Sequence, residues 1–533
     1  MSFRKNCFQQ MSLCDSTYGL TEREQKALDR SWAKIFAEDV FPQIDEERFS
    51  VLYSDKVSRP NTPVNIIVGA LIIKELFGIS DDEVVDNLML DPRYQMALHT
   101  SSYEEQPLSD KSLSRFRMRC YNYEQTNGVD LYHDCVTGLA EAAAKMMHID
   151  KRIRRMDSLM IESNIRRLSR MELIYTCISK LVSYLHKNGR DDLIGHMDHY
   201  YDPNDFNQVI YHCSDIDAEE RFAVLLSDAD LLLERCNGPF DEVTEYQLFV
   251  RCISEQTIVD NGKRRLRTKE DGEMGSRILQ NPSDPDATFR KKAGKEYRGY
   301  AGNIEESVGK NGSVVTDYQF DTNNKSDSEF LKDHLNSIGR QEEKIVMITD
   351  GAYSSENNIG LASDNNIDLV TTDLTGKDVD PIMGAFHFNE DGTKVISCPA
   401  GNSPKTCWYN QKTGQILLSF KREKCEDCPY RMHCKPKISK KVSKLSVSLK
   451  MKKRALIRDR METEEFKLYA RLRNGVETIP SLLKNRYGVN RMPVRGRIRC
   501  KFYFGSKVAA LNFRKLFRFR KGSGHYAPNP AFG

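Results

Sequence analysis

Glu477 is the last acidic residue of the chain. From Phe466 to Gly533, 68 residues, Lys and Arg occur 16 times and no other Asp or Glu does. A basic surface of that density attracts polyanions. A carboxylate inside it can hold a divalent cation beside a bound phosphate, and it can equally be a salt-bridging partner on a basic helix. Two-metal phosphoryl transfer needs more than one such group. Carboxylates hold two ions about 4 Å apart, one activating the nucleophile and one stabilising the leaving oxygen. Asp157, in Met156-Asp157-Ser158-Leu159-Met160-Ile161, and Asp350, directly after the apolar run Lys344–Thr349, are the further candidates. Each also has a plain reading, as a strand-end surface acid and as part of an Asp-Gly turn.

The elements around these acids follow a definite order. Ile153–Ile161 reads as a strand carrying Asp157. Tyr297–Val308 and Ser313–Phe320 read as a hairpin turned at Asn311-Gly312. Asp327–Ile338 reads as an amphipathic helix and Lys344–Thr349 as a strand ending at Asp350. A helix over about 354–365 and a strand Ile367–Thr371 follow. Between the first strand and the hairpin, residues 168–265 keep helical spacing and show no strand pattern, which reads as an insertion. With it lifted out, strand, hairpin, helix, strand, helix, strand is the order of a ribonuclease H-like sheet, an α/β fold with its site at strand ends. Glu477 lies between two helical stretches, 464–473 and 478–487, and Pro480 argues against one unbroken helix there.

Cysteine usage separates one group from the rest. Of 14 cysteines in 533 residues, most are scattered in apolar surroundings, as expected of buried thiols. Cys425, Cys428 and Cys434 are closely spaced, and Cys398 precedes them in Ser-Cys-Pro. Four thiolates at such spacings can close a tetrahedral structural zinc site. Cys407 or His433 could replace Cys398, and reduced unliganded thiols are the alternative. The group falls in a 375–460 insertion whose end, Lys435–Arg460, is dense in Lys and Arg.

Before the first strand, residues 48–130 read as short helices. Thr62-Pro63 opens one that stops at Gly78. Ser80 and Glu83 form a capping box for a second, and Ser109-Asp110 opens a third bearing Lys111, Arg115, Arg117 and Arg119. Short helices ending in a basic one suit a DNA-binding region, with Arg115 and Arg119 as contacts, and also suit a helical bundle with a solvated basic face. The ends, 1–47 and 522–533, are weakly patterned, and the latter reads as a frayed tail. Overall charge is nearly balanced, 80 basic against 76 acidic residues. No leader is expected after Met1, and the most apolar stretch, Ile66–Phe77, carries Lys74 and Glu75 and is too short to span a bilayer. A cytoplasmic protein without a membrane partner is the expectation.

The segments Met156–Asn164, Thr349-Asp350-Gly351-Ala352-Tyr353 and Arg473-Asn474-Gly475-Val476-Glu477 resemble the three acidic motifs of bacterial DDE insertion-sequence transposases, in the branch whose third motif is Tyr-Arg-Glu-Lys. Arg473, Glu477 and Lys484 keep that branch's spacing, while Tyr469 stands one position before the place of its tyrosine, Ala470. The resemblance implies that Asp157, Asp350 and Glu477 bind two Mg²⁺ (or Mn²⁺) ions. Water then attacks the phosphodiester at a transposon end, and the released 3′-hydroxyl attacks target DNA. It implies that Arg473 and Lys484 hold DNA phosphates. It further implies double-stranded DNA, terminal inverted repeats and target, as partner, a homodimer on DNA, and association with the bacterial nucleoid. The catalytic core would then comprise 150–167, 290–374 and 461–521. A metal-dependent nuclease without strand transfer and a catalytically inactive DNA-binding protein are the rival readings.

Overall fold

The computed structural model describes residues 1–6, 17–56, 58–100, 108–211, 215–272, 274–371 and 378–522. Apart from Gly522, the expected C-terminal tail lies outside the described residues, as do the first three residues of the 375–460 insertion. The chain divides into two compact units. The first is Met1–Lys151, Asp157–Phe330 and Thr478–Phe532; the second is Arg152–Met156 and Leu331–Glu477.

In the first unit, α1 (Val64–Phe77) is apolar nearly all round and ends at Gly78 in the left-handed region, with Pro63 as its N-cap and not its first helical residue. α2 (Asp81–Leu90) opens with the expected Ser80–Glu83 capping box. α3 (Asp110–Asn127) is capped by Ser109, and α4 (Leu131–Met146) by Asp130. β1 (Ile153–Glu162) lies beside β3 (Lys295–Gly309), which pairs antiparallel with both β2 (Thr288–Lys292) and β4 (Gly312–Thr322). Gly299 permits the close approach of β3 to the end of β1. A Cβ there would stand 2.5 Å from Ile161 O and Ser163 N. Register puts Gly309 opposite Gly312, so the β3–β4 turn is Lys310-Asn311, one residue earlier than the Asn-Gly pattern suggested.

The helical block has its own core, in which α5 (Arg170–Lys187), α6 (Asp215–Cys236) and α7 (Thr244–Gln256) converge on buried residues such as Leu181, Leu232 and Phe249. Its last residues depart from the all-helical expectation. Thr257–Asp260 and Lys263–Leu266 form a hairpin turned at Asn261-Gly262, both at positive φ. That Asn-Gly pair is itself a hairpin signal. The unit's largest apolar cluster joins the N-terminal helices to β1, β3 and β4. The long C-terminal helix, Arg497–Arg520, supplies Phe502, Phe504, Val508 and Phe513 to it. Shared burial on that scale makes these helices and this side of the sheet one cooperative core.

In the second unit, the beginning of β1 pairs in parallel with β5 (Ile345–Thr349), and β5 with β6 (Ile367–Thr371). α8 (Asp327–Ile338) and α9 (Glu356–Asp364) precede the two strands, and Met156, Leu331, Leu335, Met347 and Ala362 form their core. β7 (Thr406–Asn410), β8 (Gln415–Lys421) and β9 (Val442–Val447) build a separate antiparallel sheet with Lys437–Ile438 at its edge. The sequence reading had assigned no strands there. α10 (Leu449–Met461) and α11 (Glu464–Val476) complete the unit. Among the described residues, no helix is long and apolar enough to cross a membrane.

Candidate active site

Asp350 follows the last residue of β5. Its Oδ1 accepts from Ala352 N at 2.7 Å, so the Asp-Gly turn and the side chain's direction are set together. Oδ2 lies 3.8 Å from Arg473 Nη2, and Arg473 Nη1 donates to Glu477 Oε1 at 2.8 Å. One guanidinium therefore stands against two of the three sequence-predicted acids, all within the second unit. Arg473 is 23 % exposed and Glu477 63 %, so the pair runs from a sheltered base to an open rim. Glu477 caps α11, and the next helix, α12 (Thr478–Asn485), begins one residue later. The break expected from Pro480 falls at the acid itself, which keeps helical φ and ψ and so stays one turn from Arg473.

What fixes α11 is a contact the sequence did not announce. Arg155 of β1 is buried, and its Nη1 donates to Leu472 O near the helix's C-terminal end. A cation near that end complements the helix dipole. Gly475 makes room for it, because a Cβ at that position would lie 2.5 Å from Arg155 Nη1. A glycine inside a helix costs roughly 1 kcal/mol relative to alanine. Gly475 in Arg-Asn-Gly-Val-Glu was thus the legible sign of a close neighbour. Tyr469 is buried and donates to Glu465 Oε1 at 2.9 Å, so its hydroxyl is committed to its own helix.

Asp157 belongs to the first unit and is half-buried on β1, with Ser158 N donating to its Oδ1 at 2.9 Å. On the opposite face of the strand, Ser158 Oγ donates to Asp327 Oδ1 at 2.7 Å. Lys484 of α12 is half-buried in the same unit. Its ammonium is pushed below the usual lysine range by burial and then by the positive charge of Lys295 and Lys292, with Asp157 opposing. Lys292 and Lys295 had not been singled out from the sequence.

The two arginines predicted to touch DNA lie on α3. Arg115 is exposed, whereas Arg119 lies over the Tyr53 ring, 4.5 Å from its centroid. Arg117, between them, is structural. It is buried and makes a two-point bridge to Asp81 at 2.6 and 2.7 Å.

Cys398, Cys425, Cys428 and Cys434 line one small cavity of the second unit. Burial first, and then neighbouring thiols, push the Cys434 thiol up to about 11. The substitutes considered for Cys398 are engaged elsewhere: Cys407 Sγ accepts from Val395 N, and His433 Nδ1 lies 3.0 Å from Asp380 Oδ2. Among the described residues, no three His, Cys, Asp or Glu side chains are arranged to hold a metal ion.

Two family models match the chain. Residues 397–517 match one described as a transposase DDE domain, and residues 24–119 match one described as a transposase domain (DUF772). The first match takes in Arg473, Glu477, Lys484 and the four cysteines; the second takes in Arg115 and Arg119; Asp157 and Asp350 lie outside both. No curated protein and no solved structure matches the chain. A mixed α/β structure with a sheet and many helices is consistent with a DDE transposase core, and the two matches together support a DNA transposase of the DDE insertion-sequence type.

Proposed function

We propose that this protein is a bacterial insertion-sequence transposase that hydrolyses the phosphodiester at its element's ends and joins the resulting 3′-hydroxyl to target DNA. The observation that carries the reading is the Arg473 bridge between Asp350 and Glu477, at the end of a parallel strand next to β1. Arg155 of β1 is level with Ile348 of β5, one residue before that strand's end. The strand order, with β1 between β3 and β5, the β3–β4 hairpin on one side and β6 on the other, supports a ribonuclease H-like core.

Asp157, Asp350 and Glu477 would hold the divalent ions. Their all-oxygen donor set suits Mg²⁺ or Mn²⁺, and two of them already accommodate a cation in the Arg473 guanidinium. Two such ions supply activation of the attacking oxygen and stabilisation of the leaving one. Arg473, released from the acids, and Lys484 would hold phosphates flanking the scissile bond, and Arg115 and Arg119 would bind the duplex backbone. Joining two ends implies at least a dimer on DNA. Cys398, Cys425, Cys428 and Cys434, which line one cavity but are not drawn together as ligands, would hold a structural zinc outside the catalytic core.

The test is an assay with Mg²⁺, a linear end-containing fragment and a supercoiled plasmid. Strand-transfer products are expected. Cuts without joining would replace this reading with a nuclease, and salt-sensitive binding without cleavage would replace it with a DNA-binding protein.

A further inference from the structure

The β2–β3 hairpin ends in a concentration of positive charge for which the described residues supply no ion pair, although Lys295 lies over the Tyr297 ring, 5.0 Å from its centroid. Lys292 and Lys295 are directly opposite each other in the register and both are exposed; Lys291 beside them is exposed as well. Like charges facing across an antiparallel pair destabilise it. The turn between them, Ala293-Gly294, has φ of 49° and 79°. A two-residue turn with both φ positive favours Asn-Gly, and alanine in the left-handed region is strained. The tip is therefore held in a conformation with two unfavourable local features. The acid next to the tip, Glu296, is turned to Arg298, with 3.6 Å between the charged groups. Lys295 and Lys292 both act electrostatically on the half-buried Lys484, and Asp157 opposes them.

We propose that the β2–β3 tip is a DNA-backbone subsite, in which Lys292 and Lys295, together with Lys484, clamp successive phosphates of the strand that passes Asp157. Two like-charged ammonium groups opposite each other across a tight turn suit a ligand with repeated anionic groups, and a phosphodiester chain has that form. Binding relieves the repulsion at the tip and releases counterions. The inference rests on the DNA-transfer reading above and adds a contact element far from Arg473 and Lys484 in sequence.

The experiment compares the full chain with Lys292→Gln/Lys295→Gln, using a fluorescein-labelled random-sequence duplex and anisotropy over a salt series. The double variant is expected to bind on the order of tenfold more weakly, with a salt slope shallower by about two. Lys292→Arg/Lys295→Arg, which keeps both charges, should restore slope and affinity, and Lys26→Gln/Lys187→Gln should leave both unchanged. Circular dichroism should be that of the parent, with a melting temperature equal or higher because a repulsion has gone. A parent that binds DNA and a glutamine variant with an unchanged slope would overturn the hairpin subsite alone. A parent with no salt-dependent DNA binding would overturn the transposase reading and the subsite with it.

Discussion

Arg473 and Glu477 are joined across one helical turn at 2.8 Å, and the same guanidinium reaches to 3.8 Å from Asp350. The arrangement brings two carboxylates to one cation at the end of β5. An i, i+4 pair of this exposure contributes only about 0.3–0.5 kcal/mol to stability, so a substitution in it reads function with little confounding loss of fold.

Glu477→Gln keeps size and removes charge. It should abolish Mg²⁺-dependent cleavage of end-containing DNA, leave DNA affinity equal or slightly tighter, and shift stability by less than about 0.5 kcal/mol. Paired cleavage and anisotropy measurements check this. Normal cleavage by the variant would make Glu477 a salt-bridge partner and nothing more.

Gly475→Ala gains about 1 kcal/mol in helix propensity but displaces the buried Arg155 from Leu472 O, a charge-assisted bond worth about 1.5–3 kcal/mol. A net loss of about 1 kcal/mol is expected in urea denaturation, with a larger fractional loss of cleavage because the end of α11 shifts. Arg155→Ala should lose more stability than Gly475→Ala. The reverse order would mean that the close approach does not hold the helix.

Asp81 links stability to pH. Burial acts against its charge, but hydrogen bonds from Arg117 and Lys74 outweigh it and lower the carboxyl from 3.8 to about 2. A depressed carboxyl stabilises the fold above its unfolded value and loses that contribution as pH falls through the folded one. The contribution is about 2 kcal/mol. Asp81→Asn should therefore be clearly less stable than the parent at neutral pH, and the difference should shrink as pH falls from 3.8 toward 2. A difference that does not change with pH would rule out the ion pair as its origin.

One zinc per chain is expected on metal analysis of protein purified without chelator. Cys428→Ser should lower zinc content and the melting temperature together, while Cys407→Ser should retain the metal. Full thiol titration in the absence of denaturant, with no zinc found, would count against the site.

Much of the positioning framework was legible because it is local. The Ser80–Glu83 capping box, the α8 bounds Asp327–Ile338 and the β6 bounds Ile367–Thr371 follow from neighbouring residues alone. So does the helix break before Thr478, since a proline's restriction acts within a turn. The hairpin at Asn261-Gly262 carries an equally local signal, which the helical spacing around it masks. Other features depended on partners distant in sequence. Arg117 looks like one more cation on a basic helix face until Asp81, 36 positions away, ties it into the fold. Arg155 acts on α11 from 317 positions away. Lys292 and Lys295 gain their meaning from register and from Lys484. Periodicity and capping are properties of a segment, and the sequence determined them here. Whether a buried charge is structural or poised for a ligand depends on which opposite charge the fold brings to it, and only the tertiary structure decided that.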